Sequence, residues 1–532
     1  MRCENGWIRV FVLWVLSNGI AFAKPDKDDR ILILGAGMSG ISAAKTLHEN
    51  GYRNFRILEA ADRVGGRIKE ATLGEHTVEL GAMWIYGKGS NPIYDMAVRY
   101  NISLAESFVD DWTVRDENGT DVTSEADVAL NHFGNVLERF NDYAEINHIA
   151  KGHDFNVQTG LRHFNWRPAS PVEDCVETFV LDFETGLTPT GLSGSHLNMK
   201  RTYAEFGNSQ MIAVKHPSGF STIVRKMCEE FLGKSDDRLV LNKTVIRINH
   251  GDKGVSVLTA DGDVYTADYA IVTFSLGVLQ QRMVKFSPPL PDDKLLAIDK
   301  FGIARYTHIY VKFRDAFWDS SMFIVFASKL RGRFSCWQNL NTIYPGSNIL
   351  QLSLFDDDSR WVEMSTDQEV IAEVTRTLRT MYPATKDPEL VGFHISRWNS
   401  NPLFMGAFSY WPTAFTNGDM KTLQKPNGRI HFAGEYLHPI HYGFAHSAFL
   451  TGKRTAHEIM RVIDHIETDI NDIDPNFGND FFDEGQDNVN FHGQQLLFYG
   501  LACMLLFGKV VLSHKVYSMI FYVTLSCVLG AV

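Results

Sequence analysis

The 532-residue chain is poor in cysteine, carries no excess of positive charge, and lacks repeats. Six scattered cysteines are too few for a disulfide scaffold, and no C-x-x-C pair points to zinc or to thiol redox chemistry. Cys3, Cys503 and Cys527 fall in terminal segments, leaving Cys175, Cys228 and Cys336. An odd number leaves at least one thiol unpaired, and core packing is the expected role of all three. Lys and Arg total 51 against 63 Asp and Glu, a formal charge of -12, which disfavours a nucleic-acid binder and suits cationic partners better. No internal repeat or low-complexity linker splits the middle of the chain, so its domains are expected to interleave. What is plentiful is core: hydrophobic residues make up 45% and aromatics 12%, enough for two or three folded domains.

The ends read as targeting segments. Arg2 and Arg9 precede the apolar run 10–16, and Ala21-Phe22-Ala23 stands before Lys24-Pro25, the pattern of a signal peptide over residues 1–23. Secretory entry gives meaning to three glycosylation sequons, at Asn101, Asn118 and Asn242. Near the other end, residues 462–508 contain no Lys or Arg and many acids, so 466–495 reads as an acidic spacer. Residues 496–512 and 516–532 are apolar, a tail expected to hold the protein at a membrane as a spanning helix; a removable lipid-anchor signal is the rival.

Between the ends, the short apolar run Arg30-Ile31-Leu32-Ile33-Leu34 is followed by Gly35-Ala36-Gly37-Met38-Ser39-Gly40 and a helix-like stretch, 41–49. A second strand, 55–58, ends at Glu59. This spacing predicts a β-α-β unit that binds a dinucleotide: the glycines permit a tight turn and close approach to a pyrophosphate, and the acid meets ribose hydroxyls. Further strands are expected at 239–248, 254–259, 269–274 and 429–433, and a long helix from about 444 to 463.

After Glu59 come Arg63-Val64-Gly65-Gly66-Arg67, Glu79-Leu80-Gly81-Ala82-Met83-Trp84, 269–279 and Phe432-Ala433-Gly434-Glu435. In this order the motifs resemble the flavin-containing amine oxidases, and within them the polyamine oxidases, over residues 30–465. The resemblance implies an α/β fold in which a Rossmann-like FAD-binding domain (30–105, 215–295 and 400–465) interleaves with an α+β substrate-binding domain (106–214 and 296–399). It implies noncovalent FAD held by Gly35, Gly37, Gly40, Glu59, Arg67, Gly81, Ala82, Met83, Trp84, Val245, Trp398, Gly434 and Glu435. No metal is expected.

The resemblance also implies two aromatic rings flanking the reacting amine, here Phe408 and Phe444, whose faces accommodate a partly desolvated amine. Glu184 matches a tunnel glutamate of the plant-type enzymes, with Tyr306 nearby on the substrate side. Two departures stand out. Tyr86 replaces the Glu or His typical of polyamine oxidases. His308 stands where the family has a Lys that holds a water near the flavin, and Lys312, on the same strand face, lies about 13 Å farther along. The catalytic set expected is His308, Phe408 and Phe444, with Tyr86, Glu184 and Tyr306 binding substrate.

The implied reaction is oxidation of a polyamine by O2 to an aldehyde, a smaller amine and hydrogen peroxide. One rival is an amino-acid oxidase, which needs an Arg beside the flavin to hold a carboxylate; none obviously qualifies. Another is a surface glycoprotein that keeps FAD but has lost turnover, motivated by His308 and Tyr86 together.

Overall fold

The computed structural model describes residues 28–151, 154–197, 206, 211–385 and 387–466, without the side chains of 145–151. The expected signal peptide, all but the first residue of the acidic spacer, and the apolar tail lie outside the described residues. The chain is a mixed α/β protein with several sheets.

Ile31–Leu34 forms a strand buried on both faces and paired in parallel with Phe55–Leu58 on one side and Tyr269–Val272 on the other. Leu239–Val240 and Ile430–Phe432 complete a five-stranded parallel sheet. A strand's side chains alternate between faces. Ile31 and Ile33 therefore enter one core, beside the helices Met38–Glu49 and Ala445–Ile463, while Leu32 and Leu34 enter another, beneath a four-stranded sheet built from residues 245–287. The turn out of the first strand requires glycine twice. Gly35 sits at φ +118°, and a Cβ there would lie 2.3 Å from the Thr273 hydroxyl oxygen; a Cβ on Gly40 would lie 2.0 Å from the Gly35 carbonyl oxygen.

One strand expectation is corrected. Residues 239–248 are not continuous: Leu239–Val240 joins the parallel sheet and Val245–Gly251 the four-stranded one. Between them Asn242 adopts φ +58°, a left-handed conformation that asparagine tolerates better than most residues. The C-terminal helix begins at Ala445, with Phe444 as its N-cap.

A six-stranded sheet runs in the order Leu390–Ile395, Tyr306–Phe313, Ile349–Phe355, Cys336–Asn339, Phe323–Ala327, Trp112–Asp116. In Tyr306–Phe313 the odd positions Ile309, Val311 and Phe313 enter a core with the helices Asp356–Met364 and Asp367–Met381. The even positions, Tyr306, His308 and Tyr310, are left for the opposite face. Lys312 shares that parity, but it lies at the strand's far end and donates to the Ser347 carbonyl. A three-stranded sheet, Trp84–Tyr86, Met211–Val214 and Leu104–Ser107, uses the same alternation to serve two cores, with Ile85, Ile212 and Val214 on one side and Trp84, Met211 and Ala213 on the other. Cys175, Cys228 and Cys336 are buried and unbridged.

Candidate active site

The glycine turn, the ends of the parallel strands and the inner face of the six-stranded sheet border one continuous cavity. At one end, Glu59 terminates its strand and accepts from the backbone N–H of Ala36 at 2.6 Å and of Ala61 at 2.8 Å. Val245 lines the same end. Gly37 and Gly66 face each other without side chains: a Cβ on Gly66 would lie 3.3 Å from the Gly37 Cα. That bare backbone suits a pyrophosphate, which needs close approach of N–H groups.

Farther along, Arg67 donates to the Glu435 carboxylate at 2.9 Å and to the Ala407 carbonyl at 2.8 Å. The other Glu435 oxygen accepts from the Gly443 N–H at 2.8 Å and from the Ser409 hydroxyl. Gly81 lies against Arg67 so closely that a Cβ would sit 1.8 Å from the Arg67 carbonyl oxygen, and the Trp398 indole N–H donates to the Leu80 carbonyl at 2.8 Å. Gly35, Gly37, Glu59, Arg67, Gly81, Ala82, Met83, Trp84, Val245, Trp398, Gly434 and Glu435 all line the cavity. Gly40 does not: it belongs to the helix, where the missing Cβ makes room for Gly35 rather than for a ligand.

All six residues expected at the substrate end, Tyr86, Glu184, Tyr306, His308, Phe408 and Phe444, line the same cavity. The Tyr306 ring lies 5.4 Å from Phe408 and edge-on to His308 at 5.3 Å, and its hydroxyl donates to the Phe183 carbonyl at 2.9 Å. Tyr86 meets Phe444 edge-on at 4.8 Å. Lys312 is not on the cavity wall, so it does not stand in for the missing family lysine. Among the described residues the one arginine on the wall is Arg67, already engaged by Glu435 and Ala407.

His308 is buried, and desolvation pushes its pKa down to about 4. Its Nδ1 lies 3.2 Å from the Glu79 carbonyl oxygen. A carbonyl only accepts, so the neutral ring carries its proton on Nδ1 and leaves Nε2 as an acceptor. Several wall residues were missed by sequence reasoning. Ser353 pairs directly with His308 across the strands, and Gln351 and Ser353 are the only polar positions in the apolar strand Ile349–Phe355, a signal that was legible. His196 lies flat on Trp411, ring centroids 3.9 Å apart, and no local pattern joins residues so distant in sequence.

Behind the wall, burial pushes the Glu79 carboxyl up to about 8, opposed by the Phe220 N–H that it accepts at 2.6 Å. One carboxyl oxygen has no partner. A group whose folded pKa lies above its ordinary value stabilises the fold below the ordinary value, and that contribution is lost as pH rises through the folded pKa. Glu79→Gln mimics the protonated acid. Its stability relative to the parent is therefore expected to rise from about pH 5 to about pH 8, by at most about 1.4 kcal/mol per pH unit. Denaturation midpoints of both proteins across this range check it; a constant difference rules out ionisation of Glu79.

Comparison with known proteins adds the identity of this cavity. Residues 38–460 match the family model for flavin containing amine oxidoreductases. Polyamine oxidase 6 of Oryza sativa subsp. japonica is 33% identical over 443 residues, covering 80% of this chain and 89% of the rice protein. Polyamine oxidase 1 of Zea mays is 33% identical over 446 residues, 80% of this chain and 88% of the maize protein. The human peroxisomal N(1)-acetyl-spermine/spermidine oxidase is 26% identical over 497 residues, 81% and 94% of the two chains. The bare glycine turn, buried Glu59 and the Arg67–Glu435 pair fit FAD along the cavity, and the chain belongs to the flavin-containing amine oxidoreductases, as an FAD-dependent amine oxidase.

Proposed function

We propose that this enzyme, with FAD held noncovalently, oxidises polyamines of the spermine and spermidine type to an imine that water hydrolyses to an aldehyde and a smaller amine, with hydrogen peroxide formed from O2. The carrying observation is the charge of the substrate end: Glu184 lines it, aromatic rings surround it, and the single arginine on the wall among the described residues is neutralised by Glu435. A cation is favoured there, whereas an amino acid's carboxylate finds no free guanidinium. The polyamine oxidase relatives of rice and maize support the same substrate class. The strand order supports the interleaved FAD-binding and substrate-binding segments expected from the sequence.

FAD, which the glycine turn, Glu59 and the Arg67–Glu435 region would hold, would supply the two-electron chemistry of amine oxidation and of O2 reduction. The residues of this chain select the reacting form. An aliphatic amine has a pKa near 10, like lysine, and the dry surroundings of Phe408, Phe444 and Tyr306 favour its neutral form at the reacting nitrogen. Glu184 holds a more distant ammonium. His308, through Nε2, holds a water beside the reacting centre in place of the family lysine.

Glu184→Gln is expected to raise KM for spermidine about tenfold while changing kcat much less, as loss of uniform binding does. Anaerobic mixing with polyamines and amino acids, followed by flavin absorbance, tests the class; bleaching by amino acids alone overturns it. His308→Ala is expected to slow reoxidation of prereduced enzyme by O2 about tenfold or more, with His308→Lys restoring it. The neutral ring persists down to its depressed pKa of about 4. The rate should therefore stay flat between about pH 5 and 7 and fall only below that. Equal rates in the three proteins remove His308 from this step.

For location, we infer secretory entry through residues 1–23 and membrane attachment through 496–532. The three sequon asparagines are exposed, which supports a glycosylated lumenal or extracellular face. No helix among the described residues is long and apolar enough to cross a membrane. Truncation after Gln495 should release active enzyme from the membrane fraction, and full-length protein found free with its tail intact overturns the attachment.

A further inference from the structure

Glu184 reaches the cavity from an irregular piece of helix. Pro171–Glu177 is α-helical, Thr178–Asp182 is a π turn closed by the Phe183 N–H donating to the Thr178 carbonyl, and α geometry returns for Phe183–Thr185. A π turn carries one residue more than an α turn, and each α-helical residue advances the chain by about 100°. Removing the extra residue therefore swings everything downstream by about that angle and carries Glu184 off the wall. The turn is an uncommon conformation and needs support.

Arg331 supplies it. Its guanidinium donates to both oxygens of Asp182, at 2.6 and 3.0 Å, and to Glu177 from two nitrogens, at 2.7 and 3.1 Å. These acids bracket the π turn, Glu177 just before it and Asp182 at its end. Both are nearly fully buried, with side chains 7% and 4% exposed. The remaining Glu177 oxygen accepts from the Trp166 indole N–H at 2.8 Å. Downstream, the Phe183 carbonyl is held by the Tyr306 hydroxyl, and Gly186, at φ +77°, ends the segment against Phe408. Glu177, Asp182 and Arg331 are all off the cavity wall, so none of them touches substrate.

We propose that the Arg331 fork on Glu177 and Asp182 is a positioning device that fixes the π turn and thereby aims the Glu184 carboxylate at the distal ammonium of the substrate. The proposal rests on the reading of Glu184 given above. A planar fork is suited to this because it fixes two carboxylates in direction as well as distance, which a lysine's point charge does not.

A mutant cycle with Glu184 tests it, using FAD-loaded enzyme with spermidine and with N-methylbutylamine, which lacks a distal ammonium. Asp182→Asn is expected to raise KM for spermidine about fivefold, to change kcat less than about twofold, and to leave KM for the monoamine unchanged. In the Glu184→Gln background the same change should add nothing, because the group it positions is gone. Arg331→Lys should show the same coupling with a smaller effect. If Asp182→Asn does not retain FAD, Arg331→Lys carries the cycle alone. Additive effects of Asp182 and Glu184, equal losses on both amines, or no change in KM overturn the positioning role. Glu184→Gln alone reports on the underlying reading: an unchanged KM for spermidine in that variant sinks the role of Glu184 itself, whereas a raised KM with additive double mutants sinks only the fork.

Discussion

The ion pair between partly buried Arg67 and buried Glu435 gathers the cavity wall. Through two side chains it ties the loop after the second strand, the 407–409 segment, the end of the strand Ile430–Phe432 and the turn into the C-terminal helix. The two partners of the pair are 368 residues apart in sequence. Burying the Glu435 charge is costly unless it is saturated with partners. Here both Glu435 oxygens accept and Arg67 is shared with a carbonyl, so the charges are compensated where they stand. The same saturation gives the substrate end its character, since it leaves the wall without a free guanidinium among the described residues.

Strand alternation does the rest of the positioning. In Tyr306–Phe313 one parity packs into helices and the other faces the cavity side, so the packing of Ile309 and Val311 determines where His308 points. The three-stranded sheet works similarly, each strand feeding two cores at once. Slipping the strand Tyr306–Phe313 by one residue would exchange its polar and apolar faces, so the site geometry inherits the specificity of the core.

What was readable in the sequence was mostly local. The glycine turn, Glu59 and the R-x-G-G-R and G-E motifs each lie within a few residues, and the structure brings them to one cavity. Gly40 was legible as part of the motif but not as a helix-packing residue, because the ligand side and the strand side of a turn look alike in one dimension. Asn242 breaks a run that composition alone reads as continuous, since its side chain tolerates the left-handed turn. The π turn before Glu184 has no compositional signature at all. It depends on Arg331, almost 150 residues away, and so does the direction of Glu184. The His196–Trp411 stack is invisible for the same reason.

Electrostatics around the cavity follow one rule. Burial pushes His308 down to about 4 and Glu79 up to about 8, and raises Tyr306 well above its usual range. An imidazole, a carboxylic acid and a phenol are thus all driven to their neutral forms by the same loss of water. An amine nitrogen entering those surroundings meets the same penalty and is driven toward its uncharged form, the one with a lone pair available for oxidation. In the proposed polyamine substrate, a second nitrogen held at Glu184 would keep its proton because a carboxylate faces it. On this reading the enzyme needs no dedicated base to strip the reacting amine: a dry floor and a single charged wall sort the nitrogens of one molecule, and the spacing between them determines which carbon is oxidised.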